Sequence, residues 1–122
     1  MDIYCDSSTK QACILYEGAA QPYFVNYVDR VTNNVGEYLA LLEVLRNLWL
    51  LEIKQATIFT DSLLVVNQIN GLYACRQEHL KPFLEEAKRL IQATGCEVKW
   101  IPREENPAGE LLEMIAHQRY SP

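Results

Sequence analysis

Long hydrophobic runs are missing: the unbroken apolar stretches of this 122-residue chain are only a few residues each, too short to span a bilayer. Basic residues are scarce too. Eleven Lys and Arg stand against 16 Asp and Glu, and the net charge of -5 argues against a protein whose main asset is a cationic surface for phosphates. It leaves room for a nucleic-acid enzyme built on an acidic metal centre. The four cysteines, Cys5, Cys13, Cys75 and Cys96, include no CxxC pair and no His partner at zinc spacing, which argues against a zinc site. With no sign of secretion, they read as structural thiols rather than disulfides. Neither His79 nor His117 has a neighbour that makes it a ligand or a base, so each reads as a surface or partly buried structural histidine. The start, Met-Asp-Ile-Tyr-Cys-Asp, lacks a basic region followed by an apolar one, so the expected compartment is the cytoplasm, with no membrane partner.

What is present is an ordinary globular composition, 49% hydrophobic and 22% charged. Residues 1–122 are expected to form one domain with a single core. Asp2 to Asp6 alternates as a strand, Ser7 to Lys10 turns, Ala12 to Tyr16 is a second strand, and Tyr23 to Val31 a third. Connections this short require an antiparallel meander. From Val35 to about Leu51 the apolar residues recur at helical spacing, with Asn34 as the expected cap and Glu37 completing a capping box. A fourth strand, Ala56 to Thr60, leads to a short helix from Ser62 to Ile69. A helix from about His79 to Ala93, a strand from Cys96 to Ile101 and a final helix opening at Pro107 complete the chain. The order βββαβααβα predicts an α/β fold: one five-stranded mixed sheet, three strands antiparallel and two parallel, flanked by helices.

In such a sheet the ends of strands one and four and the starts of the first and last helices can meet at one edge, and those places hold Asp6, Asp61, Glu37 and Glu110. Taken singly, each has a plain explanation. Asp6 is a turn residue, Asp61 a helix cap, Glu37 part of a capping box, and Glu110 an acid in a first helical turn where the dipole favours it. Taken together they repel, by roughly 1–4 kcal/mol for each pair at about 4 Å. A cation would offset that cost, and oxygen-only ligands suit Mg²⁺ or Mn²⁺.

The whole chain resembles type I ribonuclease H. The motifs are Ile-Tyr-Cys-Asp6-Ser-Ser, Thr32-Asn33-Asn34-Val-Gly-Glu37-Tyr38, Phe-Thr-Asp61-Ser62, and Pro102-Arg103-Glu104-Glu105-Asn106-Pro-Ala-Gly-Glu110. The segment Val65 to Gly71 is similar to the compact branch of the family, without a basic protrusion. The resemblance implies a ribonuclease H-like domain that hydrolyses the RNA strand of RNA/DNA hybrids. Its catalytic and metal-binding residues would be Asp6, Glu37, Asp61 and Glu110, holding two Mg²⁺ or Mn²⁺ ions for in-line attack of water on a phosphodiester. It also implies that Thr32, Asn33, Asn34, Ser62 and Arg103 bind substrate, the asparagines through 2′-hydroxyls. Departures from the family pattern are Ser7 in place of Gly, Leu63 in place of Gln, Glu110 after Gly109 in place of Asp after Ala, and no His in the loop ahead of it. By residue type alone Arg103 reads as a surface cation paired with Glu104 or Glu105. The alternative to a nuclease is a catalytically silent ribonuclease H-like module that binds nucleic acid or protein.

Overall fold

A computed structural model describes residues 1–120. The elements are β1 (Asp2–Ser7), β2 (Gln11–Tyr16), β3 (Tyr23–Asn26), α1 (Asn33–Leu50), β4 (Thr57–Thr60), α2 (Leu63–Ile69), α3 (Lys81–Thr94), β5 (Glu97–Trp100) and α4 (Pro107–Tyr120). Single 3₁₀ turns lie at Glu78–Leu80 and Arg103–Glu105. The expected order βββαβααβα is observed. In space the strands run β3-β2-β1-β4-β5, with β1, β2 and β3 antiparallel and β4 and β5 parallel to β1.

The alternation in β1 assigns the two faces of the sheet. Ile3 and Cys5 point into the main core, with Ile14, Ile58 and Val98 from other strands and Tyr38, Leu41, Leu42, Leu45 and Leu48 from α1. Leu84, Ala87 and Leu90 of α3 pack into the same core. Tyr4 faces the opposite side, stacks on Phe59 at 5.2 Å between ring centroids, and lies beneath α4 with Cys13, Ala108 and Leu112. All four cysteines are free thiols, and Cys5 and Cys13 pack in separate clusters. His79 is exposed, as expected of a surface histidine. The expectation for His117 lies outside the described side chains.

Two local expectations are corrected. The third strand ends at Asn26 rather than Val31, because the following backbone bonds to the β1–β2 turn instead of extending the sheet. Tyr27 N–H donates to the Lys10 carbonyl and Val31 N–H to the Thr9 carbonyl, each at 2.9 Å. The first helix is capped by Thr32, whose Oγ1 accepts from Val35 N–H at 3.3 Å, and not by Asn34. The capping box between Asn34 and Glu37 therefore does not form, and Glu37 sits one turn inside the helix.

Gly36 lets the start of α1 lie against the β1–β2 turn. A Cβ there would come to 2.5 Å from Ser7 Oγ and 3.0 Å from the Ser8 carbonyl. Gly36→Ala should therefore destabilise the fold by about 1–3 kcal/mol through overpacking, read as a lower urea midpoint. An unchanged midpoint would mean that the turn yields freely.

Candidate metal centre

The parallel register sets the first two acids side by side. Tyr4 lies opposite Phe59, so two residues further along, Asp6 and Asp61 leave the same edge of the sheet. Ser62, not Asp61, caps α2, with its Oγ accepting from Val65 N–H at 3.3 Å. Asp61 is thereby free of the capping role that its residue type suggests. Glu37 reaches the same edge from α1 and accepts from Thr60 Oγ1 at 3.5 Å. One carboxylate oxygen from each of Asp6, Glu37 and Asp61 lies within 4.8 Å of the others.

Crowding changes the acidity of Asp6 and Glu37. Burial and then the Asp61 charge raise the Asp6 carboxyl above its ordinary range. Glu37 is pushed up from 4.5 to about 9, first by burial and then by the charge of Asp6, with which it shares a hydrogen bond. Without a cation Glu37 thus holds a proton where positive charge is needed. The donors are all oxygens, with no Cys or His among them, which is the chemistry of a hard divalent cation site.

The acids line an open cleft of about 510 Å³ together with Asn33, Ser62, Arg103, Gly109 and Glu113. Gly109 brings α4 close: a Cβ there would lie 2.9 Å from Asp6 Oδ2 and 3.6 Å from Asp61 Oδ2. Glu110 is exposed and is not among the residues lining this cleft or gathered with the three acids. Glu113, one helical turn beyond Gly109, does line it. Arg103 pairs with Glu113 at 3.4 Å rather than with Glu104 or Glu105. Among the substrate-binding candidates, Asn33, Ser62 and Arg103 line the cleft, Thr32 is engaged in the α1 cap, and Asn34 lies outside the lining.

Ser7, which stands where a glycine was expected, turns its hydroxyl to the Ser8 carbonyl at 2.6 Å and the Tyr27 hydroxyl at 2.7 Å. Its side chain thereby ties the turn to Tyr27, whose hydroxyl lies 3.2 Å from the Gly36 carbonyl of α1. Asn106 and Trp100 were not singled out from sequence, and both contact Asp61. The legible signal for Asn106 was its place directly ahead of Pro107, the usual position of a helix cap. The helical spacing from Gly109 to Glu113 was the corresponding signal for Glu113.

The reverse transcriptase-like family model matches residues 11–112. The bifunctional protein Rv2228c of Mycobacterium tuberculosis is 31% identical over 86 residues, which is 70% of this chain but only 24% of that relative's length. The N-terminal RNase H domain of the same protein, solved as a fusion with maltose binding protein, superposes with a TM-score of 0.75 at 24% identity, covering 91% of this chain and 93% of that one. EbsB of Enterococcus faecalis is 30% identical over 95 residues, 75% of this chain and 70% of its own. LC11-RNase H1, solved in complex with an RNA/DNA hybrid, gives a TM-score of 0.74 at 25% identity over 90% of this chain and 91% of its own.

Proposed function

Because the chain belongs to the reverse transcriptase-like family and has a type I ribonuclease H-like fold, we propose that it is a metal-dependent endonuclease that hydrolyses the RNA strand of RNA/DNA hybrids. The observation that carries this reading is the convergence of Asp6, Glu37 and Asp61 from two strands and a helix onto one sheet edge. These three carboxylates would hold two Mg²⁺ or Mn²⁺ ions. Bound there, the cations would supply Lewis-acid stabilisation of the phosphodiester and a water acidic enough to attack it.

The chain's own groups account for the remaining tasks. Glu37, raised to about 9, holds a proton at neutral pH that a bound cation would displace, leaving a charged ligand beside Asp6. Asn33 lines the cleft, and its amide, both donor and acceptor, would suit a 2′-hydroxyl of the RNA strand. Arg103 is the one cation lining the cleft among the described residues, and exchange of its Glu113 partner for a phosphate would bring the substrate backbone beside the acids. Glu110, by the family spacing, would act at the solvent side of the site.

The test is a uniformly labelled RNA/DNA hybrid incubated with Mg²⁺ or with Mn²⁺ against a chelated control. Cleavage of the RNA strand is expected in both metals and in neither chelated sample, with double-stranded DNA left whole. A second reading, a silent binding module of the same fold, draws on the pairing of Arg103 with Glu113, which leaves the cleft without a free cation among the described residues. A hybrid that is bound but stays intact at high protein concentration would select that reading.

A further inference from the structure

Asn106 is 1% exposed, and the roles assigned above give it no task. It closes the connection from β5 and caps α4, with its Oδ1 accepting from Ala108 N–H at 3.1 Å. Its Nδ2 donates to the Cys5 carbonyl at 3.0 Å and to Asp61 Oδ2 at 3.1 Å. The partners fix which end of the amide is which: the reverse orientation would set oxygen against two oxygens and an amino group against an N–H. One side chain therefore ties together the end of β1, the acid after β4 and the start of α4.

Asp61 needs such a tie. The carboxyl torsion of an aspartate is broad, so the backbone alone does not set the plane of its oxygens. Asp6 and Glu37 present like charge when ionised, which favours swinging Asp61 out to water. The amide of Asn106 opposes that swing with a hydrogen bond to a charged acceptor inside the protein. A second donor holds the same residue by its main chain, since Trp100 Nε1–H donates to the Asp61 carbonyl at 3.2 Å. Both holds come from the two ends of one short connection, residues 100 and 106.

We propose that Asn106 is a positioning residue, which fixes the carboxylate of Asp61 in the orientation that binds the divalent cation, while touching neither cation nor substrate. This rests on the metal-site reading above. It separates from plain helix capping, because serine is also a favoured N-cap. Asn106→Ser keeps an oxygen for the α4 N–H groups and removes both bonds made by Nδ2.

The experiment is a calorimetric Mg²⁺ titration of wild type and Asn106→Ser, with hybrid cleavage measured on both. The variant should bind Mg²⁺ about 10-fold or more weakly, the loss typical when a partner of a metal ligand is removed. At saturating Mg²⁺, KM for the hybrid should stay and kcat should fall. In the wild type, the Asn106 side-chain amide resonances should move as Mg²⁺ is added, together with the carboxyl carbons of Asp6, Glu37 and Asp61. A folded Asn106→Ser variant with Mg²⁺ affinity within twofold of wild type would overturn the proposal. So would amide resonances that stand still while the carboxyl carbons move, and that measurement decides alone if the variant does not fold. A wild type that binds no Mg²⁺ would sink the metal reading and this proposal together. One that binds Mg²⁺ through Asn106-dependent affinity yet leaves hybrids uncut would sink only the nuclease reading.

Discussion

Stripped of divalent cations, the protein is expected to lose stability steadily as the pH rises from 4.5 to about 9, the interval between the ordinary and the folded acidity of Glu37. The sign follows from proton binding. The native state keeps a proton on Glu37 that the unfolded chain has already released, so the native state binds more protons throughout this window. The stabilisation is fully present below 4.5 and lost as the pH climbs through about 9. One proton corresponds to a slope of about 1.4 kcal/mol per pH unit. Asp6, whose carboxyl is also raised, contributes with the same sign. Saturating Mg²⁺ should reverse the trend, because the cation competes with the proton for the same oxygens and binds more tightly as they ionise. Urea midpoints taken from pH 5 to 9 in chelator and again in Mg²⁺ would measure both curves. A flat or rising curve in chelator would mean that the three acids do not sense one another as described.

Asp61→Asn should abolish hybrid cleavage for practical purposes, with a loss on the order of 10³-fold or more, since losing several kcal/mol of metal-mediated stabilisation translates to that rate. The substitution preserves shape and removes one of the charges that raise Glu37. It should therefore also narrow the pH window just described, which gives a readout independent of turnover. Glu110→Gln is expected to cost at least ten times less than Asp61→Asn, on the order of what loss of a peripheral partner costs, because the Glu110 side chain is exposed and outside the gathered oxygens. Parity between the two variants would place Glu110 at the centre of the chemistry. Retained cleavage in Asp61→Asn would remove the basis for a metal-dependent nuclease.

Much of this architecture was legible because it is written in periodicity. The two-residue alternation of β1, the helical spacing of Tyr38, Leu41, Leu45 and Leu48, and the Asp-Ser step after β4 each state an element without help from distant residues. Asp6, Glu37 and Asp61 could be nominated since each sits at an element's end or first turns, and the sheet order brings those ends together. What escaped were choices made by tertiary contacts. Thr32 caps α1 although Asn34 is equally suited by type, and β3 stops at Asn26 because Lys10 and Thr9 offer its continuation other partners. Asn106 looks like a cap in the sequence and is one, but its second role depends on Cys5 and Asp61, 101 and 45 residues away. Arg103 found Glu113 rather than a neighbouring acid, as helix α4 carries Glu113 back across the cleft.

The two outer strands of the sheet, β3 and β5, are four residues long apiece, and the residues at both their ends are exposed. Glu97 and Lys99 stand on β5 as a paired acid and base at 3.4 Å. An unpaired strand edge is a template on which another chain can add, and brevity and charge are two ways that proteins blunt it. The five-stranded sheet thus offers little ladder to a neighbouring copy, which favours keeping the molecules apart in a concentrated solution rather than letting them grow into fibrils.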